Sequence, residues 1–144
     1  MSEAIETNTN TMMTLHDNTA LELKIDYIGS LYYELVPNDE FMVVSYRYEE
    51  NMPEDIMDGH YIEEIYFQIA KPIAPLTLSN TLLADSKALF NRQCFCRGEA
   101  GTFLITQGNL TIEENKNNFA FRFDFTVSSG KQITKKITGV IPKK

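Results

Sequence analysis

Apolar and polar residues alternate with a period of two along most of the chain from residue 20 onward. This period is typical of β-strands that bury one face. In ALELKIDYI (residues 20–28), Leu21, Leu23 and Ile25 share one face and charged residues occupy the other. In YIEEIYFQIA, Glu63 shares the apolar face, which predicts that this end of the strand is exposed. The repeated alternation predicts a protein built mainly from antiparallel strands.

Turn-forming residues divide these segments at short intervals. Gly29-Ser30 suits a two-residue type II′ hairpin turn, and PNDE, NKNN and SSGK supply further turns. We therefore predict an all-β fold of about eight to ten short strands without long helices, arranged as an antiparallel β-sandwich or a partly open β-barrel.

The middle of the chain is less regular. Pro72 and Pro75 remove donors from a strand ladder, so the segment around them is predicted to be a crossover or an edge segment. The sequence NTLLADSKALFN fits two interpretations, a short helix capped by Asn80 or a loop followed by a strand. We favour a strand over residues 88–97.

The segment FAFRFDFTV (residues 119–127) places four phenylalanines on one face. Such a face can belong to a packed core, line a ligand cavity, or stack against bases or sugars. A bare apolar face is unusual on a monomer, and the basic rim of a nucleic-acid platform is missing because Arg122 and Asp124 lie on the opposite face. We interpret the row as core. The residues predicted to be buried together are Leu21, Leu23, Ile25, Val44, Ile65, Phe67, Ile112, Phe121, Phe123 and Ile137.

Composition restricts the domain organisation and the partners. The 144 residues fit one domain, with residues 1–13 predicted as a disordered arm and residues 14–144 as a single β-domain. A net charge of −7 disfavours nucleic acid as a partner. No apolar stretch reaches transmembrane length, which predicts no membrane insertion. The acidic start MSEAIET lacks the features of a signal peptide, so we predict a cytoplasmic protein, or an exported one whose signal has been removed.

Charge is distributed unevenly along the sequence. Residues 49–64 carry seven acids and no Lys or Arg, whereas the sequence after residue 126 carries five lysines and no acid. Solvated loops and tails explain such asymmetry most often. A weak, salt-sensitive homo-oligomer is the alternative, in which the acidic stretch of one copy contacts the lysine-rich final strand of another. Tyr61 and Ile62 are the candidates for an apolar contact beside these charges.

Two cysteines and two histidines are the first candidates for chemistry. Cys94 and Cys96 would share a strand face, where a disulfide between them would be strained. His16 and His60 could complete a zinc site with them, but the local spacing of zinc-binding motifs is absent. A thiolate activated by His60 is a second arrangement that the residue types allow. We interpret both cysteines as small buried residues and predict no metal ion.

The acidic residues around Asp55 and Asp58 are the second candidate, for calcium. Their order departs from the EF-hand pattern, which makes a solvated loop the preferred interpretation. P-loop, nucleophile-elbow, zinc-protease and dinucleotide-binding motifs do not occur. We therefore assign no catalytic, cofactor-binding or metal-binding residue and predict a protein that is not an enzyme.

The last third of the chain combines a glycine, alternating apolar residues, a polar turn, an aromatic-rich strand, Gly-Lys and a Thr-Gly strand. The matching positions are Gly108–Ile112, Phe119–Phe125, Gly130-Lys131 and Thr138-Gly139. In this respect the chain resembles small all-β domains of unknown function that recur in bacterial surface lipoproteins. The resemblance implies a bacterial β-domain and supplies no catalytic residue. The chain departs from that family in lacking a lipobox cysteine near its start.

Three hypotheses about function remain. The first is a non-catalytic β-domain that acts through its surface, in association with a protein or with itself. The second is a lipocalin-like carrier whose barrel holds a small apolar ligand. An enzyme that uses Cys94 or Cys96 with His60 is the third, and the absence of motifs separates it from the other two.

Overall fold

The computed structural model describes residues 9–50, 60–94, 98–128 and 130–144. These residues form eleven strands and one short 3₁₀ helix, Asn80–Ser86, which confirms the all-β prediction and adds one strand to the expected range. The strands, in chain order, are β1 (Thr9–His16), β2 (Thr19–Ile25), β3 (Leu31–Pro37), β4 (Phe41–Glu50), β5 (Tyr61–Ala70), β6 (Leu76–Ser79), β7 (Leu89–Cys94), β8 (Gly101–Leu104), β9 (Gly108–Glu114), β10 (Asn118–Phe125) and β11 (Lys136–Pro142).

Two antiparallel sheets form a sandwich. The larger sheet has five strands in the order β1-β4-β5-β7-β8, and the smaller has four in the order β11-β10-β9-β6. Within the described residues neither sheet closes on itself, so the sandwich is the correct form of the prediction. The strand β6, which follows Pro72 and Pro75, lies at a sheet edge as predicted. An edge strand bonds to one neighbour, here β9, so a missing backbone donor is tolerated there.

The segment from Asn80 onward contains a short helix and then a strand, the two elements between which its sequence did not decide. Asn80–Ser86 is the 3₁₀ helix, and the strand β7 follows it from Leu89. The helix-capping position is Ser79 rather than Asn80, and its side chain makes no capping hydrogen bond. The predicted end of the strand, at residues 95–97, lies outside the described part of the chain.

The core between the two sheets is built on the phenylalanine row of β10. Phe121 and Phe123 are buried and meet Phe67 of the opposite sheet edge-to-face, with ring centroids 5.5 and 5.6 Å apart. Phe125 follows at 4.9 Å from Phe123 and is also buried. Because these rings contact one another directly, the row faces a packed core, as predicted.

The hairpin of β2 and β3 adds a third layer on the outer face of the larger sheet. Its base is anchored by a second apolar cluster that includes Leu21, Val43, Tyr66 and Leu89. The backbone N–H of Leu21 also donates a hydrogen bond of 2.9 Å to the side-chain oxygen of Gln68. Parts of β4 and β5 are therefore buried on both faces, which explains the consecutive apolar residues Met42–Val44 and Ile65–Phe67.

Three sequence predictions are corrected at the hairpin and at the chain start. Ile25 is 63% exposed and Leu23 is only half-buried, because the hairpin extends beyond the sheet that covers its base. The hairpin turn has five residues, from Asp26 to Ser30, instead of two. The strand β1 begins at Thr9, so a disordered arm is wrong for residues 9–13.

None of the helices among the described residues has the length and the apolar character needed to cross a membrane.

Candidate functional site

Cys94 is disulfide-bonded, which corrects the prediction of buried free thiols at this position. The other cysteine of the chain, Cys96, lies outside the described residues. A sulfur in a disulfide is neither a thiolate nucleophile nor a metal ligand. The chemistry considered for Cys94 would therefore require reduction first.

The structure brings His60 close to Cys94 but leaves His16 elsewhere. His60, Ile62, Gln93 and Cys94 line an open cleft of about 320 Å³. Nε2 of His60 lies 2.6 Å from a carboxylate oxygen of Glu49. His60 is thus oriented by an acid, next to a sulfur that is already bonded.

His16 lies on β1, where its Nε2 is 2.9 Å from the hydroxyl of Ser45. Burial lowers the pKa of His16 because it disfavours the charged imidazolium. Within the described residues no three acids, histidines or cysteines are close enough together to hold a metal ion. The calcium candidates Asp55 and Asp58 lie outside those residues.

The most unusual feature of the interior is a buried charged cluster. Glu63 of β5 and Arg92 of β7 occupy directly opposite positions in neighbouring strands, and both are almost completely buried. The expectation that Glu63 marks an exposed strand end is therefore wrong. The Glu63 carboxylate accepts hydrogen bonds from the hydroxyl of Tyr61 and from two backbone N–H groups, Ile133 at 2.7 Å and Thr134 at 2.8 Å.

Arg92 is enclosed by aromatic rings and by two loops. Its guanidinium carbon lies 5.0 and 5.4 Å from the ring centroids of Phe90 and Phe103. Its Nη1 donates a 2.7 Å hydrogen bond to the backbone oxygen of Glu99. Gly130 closes over it at φ +80°, and a Cβ there would lie 2.5 Å from Nη1.

The cluster ties the loop before β11 to the larger sheet. Burial and the hydrogen bond to Glu63 raise the pKa of Tyr61, so its hydroxyl keeps its proton and donates. The ammonium of Lys131 lies 4.2 Å from the Tyr61 ring centroid and 3.4 Å from Glu50. The polar atoms of the cluster are thus directed at the chain's own backbone, which indicates a structural role.

These contacts also correct the predicted self-association. Tyr61 and Ile62 are buried, so neither can form the apolar contact expected between copies. Lys131 meets the acid Glu50 of its own chain. The final strand β11 does lie at a sheet edge, as that hypothesis required.

Among the described residues, the tip of the β2–β3 hairpin carries the most exposed large apolar side chains. Ile25, Tyr27 and Ile28 are 63%, 98% and 70% exposed. The Asp26 carboxylate accepts hydrogen bonds from the backbone N–H groups of Ile28 at 3.0 Å and Ser30 at 2.9 Å. The loop is therefore held in one shape while it presents apolar side chains to solvent.

An open cleft continues this surface toward the larger sheet. Leu31, at the start of β3, stands opposite Ile25 in the hairpin. Leu31 also lines a cleft of about 340 Å³ with residues of β8, among them Phe103 and the exposed Leu104. We refer to Ile25, Tyr27, Ile28, Leu31 and Leu104 together as the tip surface.

A second cleft, of about 480 Å³, opens at the end of the sandwich. Apolar side chains from both sheets form its floor, and charged side chains form its rim. The floor includes Met42, Ile73, Phe119 and Ile141, and the rim includes Asp17, Lys71, Glu114, Lys143 and Lys144. Hydrogen bonds from Lys144 and Lys71, both at 2.8 Å, hold the pKa of Asp17 far below its usual range.

No family model, no curated protein and no solved structure matches this chain. The resemblance to lipoprotein domains and the cytoplasmic location consequently stay predictions.

The sequence pattern alone predicts neither the buried cluster nor the tip surface. Glu63 lies on the apolar side of its strand, and an acid in such a position was the one available sign of a buried carboxylate. Its partners Ile133 and Thr134 are seventy residues away in sequence, so no local pattern identifies them. Tyr27 continues the alternation of β2, so the pattern predicts that the strand extends to Tyr27 and Ile28.

Proposed function

We propose that the protein is a non-catalytic β-domain that binds a protein partner through the tip surface. The observation that carries this proposal is the exposure of Ile25, Tyr27 and Ile28 on a loop that hydrogen bonds hold in place. Contiguous exposed apolar residues on a soluble domain are typical of interaction sites.

The rigidity of the loop supports binding. The backbone N–H of Asp26 donates to the oxygen of Ser30 at 2.9 Å, and that of Gly29 donates to the oxygen of Asp26 at 3.0 Å. Gly29 has φ +87°, a conformation that other residues rarely adopt. Because the tip is ordered before any partner arrives, less conformational entropy is lost on binding.

The residue types also suit a protein interface. Tyrosine is enriched among the residues that contribute most binding energy, since it buries a large rigid ring and keeps a polar group. Leu31 and Leu104 extend the surface on one side. Lys24 pairs with Glu34 at 2.9 Å beside the tip and supplies a polar rim.

The non-catalytic part of the proposal is supported by the state of the candidate nucleophile. The sulfur of Cys94 is committed to a disulfide, and His60 beside it contacts Glu49. The hydrogen bonds of the Glu63 cluster are made to the backbone of the same chain. The geometry therefore favours recognition over chemistry.

The test is co-purification from cells that naturally produce the protein. The double variant Tyr27→Ser with Ile28→Ser removes the centre of the tip surface without touching the core. Leu82→Ser is the matched control, because Leu82 is 56% exposed on the 3₁₀ helix. We expect a partner that is retained by the wild type and the control but lost by the double variant. Equal recovery of every bound protein by all three chains would refute the proposal.

A carrier of a small apolar ligand is the second candidate, and the cleft of about 480 Å³ is the observation that favours it. Its apolar floor and lysine-bearing rim fit an aliphatic chain with an anionic head group. Titration calorimetry with dodecanoate is the test, with Ile73→Asp as the variant that places a charge on the floor. Saturable heat that disappears in the variant supports this function, and no heat in either protein refutes it.

A further inference from the structure

The sandwich has four sheet edges, and three of them carry features that discourage pairing with another chain. The edge strands β8 and β6 are only four residues long, and β6 follows two prolines. The edge strand β11 begins with Lys136 and ends at Pro142. Short strands, lysines and prolines are the devices by which natural proteins protect their edges.

The fourth edge, β1, has none of these features. It is eight residues long, and its sequence TNTMMTLH contains no charged residue and no proline. It pairs with β4 in eight consecutive positions without a bulge, from Thr9 to His16. Met12 on this strand is 62% exposed. Within the described residues, the outer side of β1 pairs with no other strand.

We propose that β1 pairs antiparallel with β1 of a second copy, which joins the two larger sheets into one continuous sheet. A strand without charges is complementary to itself, because no register places like charges opposite each other. A two-fold axis perpendicular to the sheet keeps Met13 and Leu15 of both copies on the core side, where they already pack. The exposed Met12 side chains then lie together on the other face.

Charge gives this dimer a distinctive salt dependence. Each copy carries a net charge of −7, so two copies repel each other over long range. Salt screens that repulsion. Association through the uncharged β1 strands therefore strengthens as salt is added, which is opposite to the salt response expected for pairing between acidic and basic segments.

The tip surface plays no part in this inference, so either proposal can fail without the other. Sedimentation velocity from micromolar to millimolar protein, at low and high salt, tests the pairing of β1. We expect the mass to rise toward twice that of one chain. Hydrogen exchange should show protection of the backbone amides of residues 10–16 that increases with protein concentration.

Met12→Lys supplies the edge charge that the other sheet edges use, on a side chain that is already exposed. Val140→Lys is the matched control, because Val140 is 53% exposed on the edge strand β11. We expect Met12→Lys to remain a monomer and Val140→Lys to dimerise like the wild type, with unchanged circular dichroism in both. A wild type that is monomeric at every concentration, or a Met12→Lys variant that dimerises equally well, would overturn the inference.

Discussion

Replacing Glu63 by Gln tests whether the buried carboxylate holds the loop before β11 against the larger sheet. The substitution keeps the size of the side chain and converts one acceptor oxygen into an NH₂ donor. In the native protein, one oxygen accepts from the Tyr61 hydroxyl and from the N–H of Ile133, and the other accepts from the N–H of Thr134. Either orientation of the new amide therefore places a donor against a backbone donor.

The size of the effect follows from those contacts. Hydrogen bonds to a charged group contribute about 1.5–3 kcal/mol each, and at least one is lost. The charge directly opposite Arg92 is lost as well, and breaking up a buried charged group typically costs about 3–5 kcal/mol. Because the two terms overlap, we expect the free energy of unfolding to fall by about 3–5 kcal/mol in total.

Urea unfolding followed by circular dichroism measures this change, and hydrogen exchange locates it. Faster exchange is expected first at Ile133 and Thr134. Glu64→Gln is the matched control, since Glu64 is on the opposite face of β5 and makes only longer contacts. Its carboxylate accepts hydrogen bonds of 3.2 Å from the Tyr33 hydroxyl and 3.5 Å from the Gln93 amide, and it pairs with Arg47 at 3.5 Å. Its cost should stay below about 1 kcal/mol. Equal losses of stability in the two variants would contradict the claim that the Glu63 carboxylate holds the loop before β11 against the larger sheet.

Three further predictions concern the core, the loop and the pH response. Phe123→Ala should lower the free energy of unfolding by about 3–5 kcal/mol in urea, since it empties the centre of the aromatic core; a change near zero would contradict that packing. Gly130→Ala should cost about 1–3 kcal/mol by thermal unfolding, because of its φ of +80° and its approach to Arg92; an unchanged melting temperature would argue against this contact. The pKa of His16 is lower in the folded protein than in the unfolded chain, so the unfolded chain binds the proton more readily. The stability contributed by the neutral His16 is therefore complete above about pH 6.5, the pKa in the unfolded chain, and is lost as the pH falls through the pKa in the folded protein. Stability should therefore fall more steeply between pH 7.5 and pH 5 in the wild type than in His16→Gln, and parallel curves would count against a lowered pKa.

The period-two alternation was sufficient to predict the strands and the direction of the phenylalanine row, because both depend on local pattern. It could not predict how far each strand is covered. Ile25 continues the pattern of Leu21, yet the sheet beneath the hairpin ends before reaching it. The same limit explains why the tip surface had no signature in the sequence.

Features that depend on contacts between residues far apart in the chain could not be predicted from the sequence. The role of Glu63 depends on a loop seventy residues away, and glycine is needed at position 130 because of its φ of +80° and because Arg92 lies beneath it. The pairing of the strands brings His60 and Cys94 into one cleft, which their sequence separation does not reveal. Burial and chemistry at these positions follow from topology.

The most direct test of the proposed function replaces Tyr27 by the photoreactive amino acid p-benzoylphenylalanine in cells that naturally produce the protein. The same replacement at Leu82, which is also exposed but lies on the 3₁₀ helix, is the control. We expect a discrete covalent adduct with one partner protein from position 27 and none from position 82. Ile28→Ser in the same chain should abolish the adduct. No adduct from position 27, or the same adducts from both positions, would contradict recognition through the tip surface.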